Sequence, residues 1–217
     1  MGNLNTVRVL VADDHTLVRE SLVNLLQTAT DVQVVAQASD GLETIEKALA
    51  TRPDIVITDI SMPHLNGIEV VRRLREALPN ARVLVLTMHQ EDEYVLQAVR
   101  AGAAGYLVKD SAAEELLAAV RSLHAGQGYF GPQASKALAE QMQHPERQVD
   151  DPYGRLTARE REVFHLIVEG MTTKEIARRL DISVKTAENH RARVLDKLDV
   201  RNTAELVRYA LRRGLLD

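Results

Sequence analysis

The sequence predicts two domains, a doubly wound parallel α/β domain followed by an all-α domain. Up to about residue 126, short apolar runs alternate with segments of helical periodicity, as in a parallel sheet covered by helices. From about residue 153 onward only helical patterns occur. Charge divides in the same way: residues 1–130 carry 11 Lys and Arg against 17 Asp and Glu, whereas residues 153–217 carry 14 against 10. This asymmetry indicates two domains with different partners.

Five strands are predicted in the first domain. Their residues are apolar, often β-branched and nearly continuous, which is typical of strands covered on both faces. They lie at Val7–Val11, Val32–Ala36, Ile55–Thr58, Arg82–Leu86 and Gly105–Val108. Five helices fill the intervals, and two of them have a capping residue three positions before Glu, at Asp40–Glu43 and Ser111–Glu114. A flavodoxin-like, five-stranded sheet is therefore expected over residues 1–128.

A linker is predicted at residues 129–152, between the two domains. Residues 144–154 are polar and include Pro145 and Pro152, which disfavour regular structure. Residues 133–144 have the pattern of a short helix.

Four helices are predicted in the second domain, residues 153–217. Each begins with a capping residue: Thr157, Thr172, Ser183 or Asn202. The helical period predicts a core of Val163, Ile167, Ile176, Ala177, Leu180, Val184, Ala187, Val194, Leu198, Leu206 and Ala210.

Composition excludes several kinds of site. The chain has no Cys, which removes disulfides, thiolate zinc sites and cysteine nucleophiles. No signal-peptide pattern opens the sequence, and no apolar run approaches the ~18 residues of a membrane span. A soluble cytoplasmic protein without a membrane partner is expected.

Polar residues follow four of the predicted strands at the edge where parallel strands place functional groups. They are Asp13, Asp14, Asp59, Thr87 and Lys109. Three neighbouring carboxylates repel one another unless a cation lies among them, and oxygen ligands favour Mg²⁺. Asp13, Asp14, Asp59 and the backbone carbonyl of Ser61 are the candidate ligands. Thr87 and Lys109 could then hold a phosphoryl group carried by Asp59.

Each residue alone has a simpler explanation. Asp13 or Asp14 could cap the first helix, Lys109 could be a solvated surface lysine, and Thr87 could simply end its strand. The combination, with each residue on the correct strand end, favours the phosphoryl site.

The first domain resembles the receiver domain of two-component response regulators. The resemblance rests on Asp13-Asp14, Asp59, Met62-Pro63, Gly67, Thr87, Tyr106 and Lys109. It implies that Asp59 accepts phosphate from a sensor histidine kinase and that Asp13 and Asp14 ligate Mg²⁺. It further implies that Lys109 contacts the phosphoryl group, Thr87 moves toward it and Tyr106 turns inward. Many receivers have Pro after the lysine, whereas this chain has Asp110.

The third helix of the second domain has the pattern of a DNA-recognition helix. Asn, Glu and Lys on its outer face could contact base edges, and nearby basic residues could hold phosphates. An ordinary solvated helix face is equally compatible with this charge pattern.

The second domain closely resembles the LuxR-type DNA-binding domain, through Leu156-Thr157, Arg159-Glu160, Glu169-Gly170, Lys174-Glu175-Ile176-Ala177, Ser183 with Lys185-Thr186, His190 and Lys197-Leu198. The resemblance implies that Glu188, Asn189 and Ala192 point toward bases. Charge and resemblance together give a DNA-binding set of Lys174, Ser183, Lys185, Thr186, Glu188, Asn189, Arg191, Ala192 and Arg193. The last helix is the family's usual dimer surface, here Thr203, Leu206, Val207 and Ala210.

The whole chain is thus expected to be a response regulator of the NarL/FixJ type: a transcription regulator that dimerises and binds double-stranded DNA when Asp59 is phosphorylated. The alternative is a phosphoryl-transfer enzyme with an aspartyl nucleophile, whose second domain binds a protein. A regulator that is no longer phosphorylated is a third reading, disfavoured by the intact set of pocket residues.

Overall fold

The computed structural model describes residues 6–111, 113–144, 152–212 and 215. The chain forms two compact units that divide between residues 148 and 149.

The first unit is a parallel sheet with helices on both faces. Its strands are β1 (Val7–Ala12), β2 (Val32–Ala38), β3 (Ile55–Thr58), β4 (Arg82–Thr87), β5 (Gly105–Val108) and β6 (Tyr129–Phe130), in the order β2-β1-β3-β4-β5-β6. Its helices are α1 (Thr16–Gln27), α2 (Gly41–Thr51), α3 (Gly67–Ala77), α4 (Asp92–Ala101), α5 (Ala113–His124) and α6 (Pro132–Gln143). The doubly wound parallel fold is confirmed.

The sheet has six strands rather than the predicted five. Tyr129 and Phe130 pair with Gly105 and Tyr106 of β5, at the start of the segment predicted to be a linker. Two residues are too few to show a strand period, and Gly128 and Gly131 flank them, so the sequence pattern concealed this strand. The expected short helix is α6, and it packs on α4.

The strand register brings the predicted site residues to one edge. Ala12 is paired with Thr58, and Thr87 is paired with Val108. The residues that follow these strands therefore emerge side by side. Buried aliphatic residues on both faces of the sheet hold the strands in this register; they include Leu10, Val56 and Val85 on one face and Val9, Ile57 and Leu84 on the other.

In the second unit, the described residues 152–212 form a short 3₁₀ turn (Tyr153–Arg155) and four helices. The helices are α7 (Ala158–Val168), α8 (Thr173–Arg179), α9 (Val184–Lys197) and α10 (Thr203–Arg212). The predicted caps are confirmed, since the side chains of Thr157, Thr172, Ser183 and Asn202 accept hydrogen bonds from backbone amides at the helix starts.

Most of the predicted core of this unit is buried, but Val184 is not. Its relative exposure is 42%, whereas Ala187 and Val194 on the same helix are buried. Val184 is the first residue of α9, so only part of its side chain can reach the other helices. Leu180 is half-buried at the edge of the core.

Among the described residues, no helix is both long enough and apolar enough to cross a membrane.

Candidate phosphoryl site and DNA-binding face

Two carboxylates lie buried where β1 and β3 end. Asp13 is 1% exposed and Asp59 is 4% exposed. The amide of Asp59 donates to the carbonyl of Ala12 at 3.0 Å, which continues the strand pairing up to the site. The four residues of β3 are all buried, so the strand holds Asp59 rigidly.

Lys109 connects these two carboxylates. Its Nζ lies 2.8 Å from Oδ2 of Asp13 and also forms an ion pair with Oδ2 of Asp59. The backbone amide of Lys109 donates to the carbonyl of Thr87 at 2.8 Å, which fixes the backbone position of Lys109 beside the end of β4. Three residues from three different strand ends thus form one buried charge cluster.

The cluster has more negative than positive charge, and its pKa values reflect this. Burial raises the pKa of Asp59, and the nearby Asp13 carboxylate adds to the rise, against hydrogen bonds from Lys109 and Thr87. Burial alone would lower the pKa of Lys109, but its hydrogen bonds to Asp13 and Asp59 raise that pKa overall. Asp59 and Lys109 therefore both bind protons more tightly than usual. A further cation would reduce the repulsion between the carboxylates of this cluster.

Asp14 supplies a position suited to such a cation. Its Oδ1 is buried and accepts no hydrogen bond within the described residues, although Nδ1 of His15 lies 2.8 Å away. Ligand atoms of Asp13, Asp14 and His15 all lie within 4.8 Å of one another. The donors are mainly carboxylate oxygens, which fits a divalent metal ion. His15 was not predicted, and only its place beside the two aspartates could have indicated it.

Thr87, Tyr106 and His89 form the wall beside the pocket. Thr87 is fully buried, and its Oγ1 lies 3.4 Å from the amide of His89. Tyr106 is 1% exposed, and its hydroxyl donates to the carbonyl of His89 at 2.9 Å. Burial raises the pKa of this phenol, so it remains a donor. Tyr106 is thus already in the inward position that the resemblance assigns to the phosphorylated receiver.

His89 also reaches the loop that follows Asp59. Its Nε2 lies 3.0 Å from Oγ of Ser61, and its ring stacks on Tyr94 with 4.2 Å between centroids. Ser61 is therefore brought to the site, with its hydroxyl bound to His89.

Helix α3 begins directly against Asp59. A Cβ atom on Gly67 would lie 1.9 Å from the carbonyl oxygen of Asp59, so only glycine allows this approach. The Gly67 amide donates to the carbonyl of Ile60 at 2.9 Å, and Asn66 caps the helix. The turn between β3 and α3 therefore brings the start of α3 into close contact with Asp59.

The second unit presents one continuous exposed face on α9. Its residues are separated by helical spacing and lie opposite Ala187 and Val194 of the core: Val184, Lys185, Glu188, Asn189, Ala192 and Arg193. Lys185 Nζ lies 3.5 Å from Oε2 of Glu188, so two of the predicted DNA-binding residues form an ion pair. Lys174 is exposed near the start of α8.

Three predicted DNA-binding residues have structural contacts. Ser183 accepts from the amide of Thr186 at 3.0 Å, and the two hydroxyl groups are 2.8 Å apart, so this pair caps α9. Arg191 is half-buried and donates to the hydroxyl of Thr203 at the start of α10. Arg191 therefore joins two helices rather than lying on the exposed face.

The predicted dimer surface needs correction. Leu206 and Ala210 are both 0% exposed because they pack into the core of the second unit, and they cannot contact a second chain. Thr203 and Val207 are half-buried, and Leu211 is 50% exposed.

An ion pair with a buried carboxylate links α9 to α7. Lys197, the last residue of α9, lies 2.6 Å from Oε2 of Glu160 in α7 and also donates to the carbonyl of Arg155. Glu160 is 2% exposed and completes the capping box with Thr157. Burial would raise the pKa of Glu160, but hydrogen bonds from Lys197 and Thr157 hold it below its usual value.

Comparison with known proteins assigns a family to each of the two units. Residues 9–121 match the family model of the response regulator receiver domain, and residues 155–210 match that of the bacterial regulatory proteins of the luxR family. The chain is 36% identical over 216 residues to the oxygen regulatory protein NreC of Staphylococcus carnosus, with 97% of this chain and 100% of that protein aligned.

Solved structures agree with this. A LuxR-family two-component response regulator from Aurantimonas sp. SI85-9A1 is 37% identical with a TM-score of 0.61, over 63% of this chain and 98% of the other. The RcsB response regulator in complex with DNA is 27% identical with a TM-score of 0.59, over 94% of this chain and 98% of the other. These matches favour a transcription regulator over the phosphoryl-transfer enzyme. The chain therefore belongs to the two-component response regulators that join a receiver domain to a luxR-type DNA-binding domain, and it is a phosphorylation-dependent regulator of transcription.

Proposed function

We propose that Asp59 is the phosphoacceptor and that its phosphorylation by a sensor histidine kinase controls dimerisation and promoter binding in the cytoplasm. The observation that supports this most directly is the ammonium of Lys109, shared by the buried carboxylates of Asp13 and Asp59. The Lys109 ammonium can leave these carboxylates and neutralise the charge of an incoming phosphoryl group. Asp59 is in addition the buried acid at the end of the central strand β3.

The transfer step follows from these positions. An Oδ atom of Asp59 attacks the phosphorus of a phosphohistidine on the kinase. A P–O bond forms while the P–N bond breaks, and the electron pair stays on the imidazole nitrogen of the kinase. Lys109 then contacts a phosphoryl oxygen, and the hydroxyl of Thr87 can donate to another.

Asp13, Asp14, Asp59 and the carbonyl of Ser61 are the proposed ligands of Mg²⁺. When bound, the ion would neutralise charge on the carboxylates and on the phosphoryl oxygens during transfer. The buried Oδ1 of Asp14, which accepts no hydrogen bond within the described chain, supports this choice.

The output is proposed to be a dimer that binds double-stranded DNA at an inverted repeat. Glu188, Asn189 and Ala192 would face bases, while Lys174, Lys185 and Arg193 would contact phosphates. Ser183, Thr186 and Arg191 would support α9 from its cap and its side. A two-fold dimer would place its half-sites about one helical turn apart. On α10, the exposed Leu211 and the half-exposed Thr203 and Val207 remain available for contact between copies.

The domain boundaries are also proposed, at residues 1–128, 129–152 and 153–217. Because β6 and α6 belong to the first compact unit, the connecting segment proper would lie after α6.

The test is to measure the oligomeric state and DNA affinity of the full chain with and without beryllofluoride and Mg²⁺, at one salt concentration. Beryllofluoride mimics the phosphoryl group on Asp59, so it should promote dimers and tighten binding. Asp59→Asn should abolish both effects. The matched control is Asp54→Asn at the other end of β3, which should keep them. If beryllofluoride binds and neither property changes, the proposed coupling is wrong.

A further inference from the structure

Val184 is the starting point, because its exposure differs from what its sequence pattern predicts. The helical period assigns it to the core, yet 42% of the residue is accessible. Among the described residues of the second unit, the only other large apolar residue with comparable exposure is Leu211, on α10. Val184 is the first residue of α9, directly after the cap Ser183.

Val184 continues the face that is proposed to enter the DNA. Residues four apart on a helix lie one above the other, so Val184, Glu188 and Ala192 form one line along α9. All three are exposed, and Lys185 and Asn189 flank the line. In helix-turn-helix proteins, the N-terminal part of the recognition helix contacts base edges. Val184 is therefore the most N-terminal side chain of α9 on this face.

We propose that Val184 is a specificity residue that contacts the C5-methyl group of a pyrimidine in the major groove, which is thymine in unmodified DNA. This inference rests on the proposed DNA-binding role of α9. An isopropyl group offers no hydrogen bond, and the thymine methyl is the apolar group that a base pair displays in that groove. The methyl-sized Ala192 lies two turns further along the same line, and Asp196 follows it, so Glu188 is the one charged side chain between Val184 and Ala192.

The geometry also predicts where the thymine lies. Four residues of α-helix advance about 6 Å along the axis. Base pairs are spaced by about 3.4 Å. The thymine read by Val184 should therefore lie within about two base pairs of the base pair read by Glu188.

A solitary exposed valine is common on protein surfaces and by itself indicates nothing. Leu211 provides the comparison, since it is exposed to a similar degree but lies on α10 rather than on α9. If Val184 contacts a base, only its substitution should remove the effect of a thymine methyl group on binding. If exposed apolar surface affects binding in general, substitution of Leu211 should have the same result.

The test uses the full chain with beryllofluoride and Mg²⁺. Bound duplexes are first selected from a random pool by the unchanged protein. In the selected site each thymine is then replaced in turn by deoxyuracil, which lacks only the methyl group. For the unchanged protein, Val184→Ala and the control Leu211→Ala, the affinity for each substituted duplex at fixed salt is divided by the affinity of the same protein for the parent duplex, so that any effect of Leu211→Ala on contact between copies cancels. Thermal unfolding of Val184→Ala checks that the exposed substitution leaves the domain folded.

One deoxyuracil substitution should weaken binding by the unchanged protein and by Leu211→Ala about fourfold, the value of one buried methyl group. The same substitution should leave binding by Val184→Ala unchanged. Equal losses in the unchanged protein and Val184→Ala at every thymine would overturn the inference. So would a methyl effect more than about two base pairs from the position whose preference changes in Glu188→Ala. If the unchanged protein selects no sequence at all, the DNA-binding proposal fails, and the role of Val184 fails with it.

Discussion

The imidazole of His89 and the hydroxyl of Ser61 join two loops of the phosphoryl site, with 3.0 Å between Nε2 and Oγ. Ser61 follows Asp59 by two residues, and His89 follows Thr87 by two residues. The backbone carbonyl of the same His89 accepts the hydroxyl of Tyr106. A single residue therefore contacts both the loop of the phosphoacceptor and the inward aromatic side chain.

His89→Ala should shorten the lifetime of phosphate on Asp59 several-fold. The substitution removes the ring that joins Ser61 and Tyr94, which should let water approach the acyl phosphate more easily. The backbone carbonyl remains, so Tyr106 should stay buried. The decay of phosphorylated protein after removal of the donor gives the rate. His89→Gln retains a hydrogen-bonding side chain and should lie closer to the unchanged protein; equal lifetimes for all three proteins would contradict this role.

Asp59→Asn should stabilise the metal-free protein at neutral pH. Burial raises the pKa of Asp59 in the folded protein, so its ionised form opposes folding. The stability linked to this group is therefore fully present below the unfolded pKa and is lost as pH rises through the folded pKa. Each pKa unit of the shift corresponds to about 1.4 kcal/mol.

The measurement is denaturant unfolding of both proteins at pH 5 and pH 8 with a chelator present. The advantage of Asp59→Asn should be larger at pH 8. An advantage that is larger at pH 5 would reverse the inferred sign.

Glu160→Gln should destabilise the second unit by about 2 kcal/mol, because it weakens the hydrogen bonds that Lys197 and the Thr157 amide donate to a buried carboxylate, and with them the capping box. The pKa of Glu160 is lowered by Lys197 and Thr157, so this stability is present above the unfolded pKa and is lost as pH falls through the folded value. The loss should accordingly shrink in acid. The control is Glu162→Gln, whose ion pair with Arg159 is about one third exposed and should change stability by about 0.5 kcal/mol or less. Equal losses in urea unfolding would refute the difference.

Arg193→Ala and Arg191→Ala should affect DNA binding differently. Arg193 is exposed and makes no hydrogen bond or ion pair within the described residues, so its loss should reduce the magnitude of the slope of log K against log salt by about 1 for each protomer, or about 2 for the dimer. Arg191 donates to Thr203, so its loss should mainly lower the melting temperature. Salt titrations of DNA affinity and thermal unfolding separate the two effects. If only Arg191→Ala reduced the salt dependence of DNA binding, Arg191 rather than Arg193 would be the phosphate contact and this prediction would be wrong.

The residues at the strand ends could be predicted from the sequence, because the carboxyl ends of parallel strands meet at one edge of the sheet. Asp13, Asp59 and Lys109 needed only the positions of β1, β3 and β5. The contact of His89 with Ser61 depends on the conformation of two loops, which no periodicity encodes. Strand β6 has two residues between glycines and shows no period either.

In the second unit, the capping residues predicted where each helix begins. The helical period of α9 and α10 did not show which of their residues are buried in the core. Leu206 and Ala210 fit the core and a dimer surface equally well on a helical wheel, and their burial settles the matter for the core. Val184 satisfies the core period but lies at the end of its helix. Arg191 has the charge of a phosphate contact, and only tertiary structure brings it to Thr203.

The approach of Gly67 to the carbonyl of Asp59 has a consequence for how this protein can diverge. Every other amino acid would place a carbon atom 1.9 Å from that oxygen, so α3 would have to move, and the phosphoacceptor with it. The acidic residues could be exchanged one at a time while the backbone stays in place. A descendant that keeps the phosphoacceptor in this position must therefore keep glycine at residue 67, whichever acidic residues around it change.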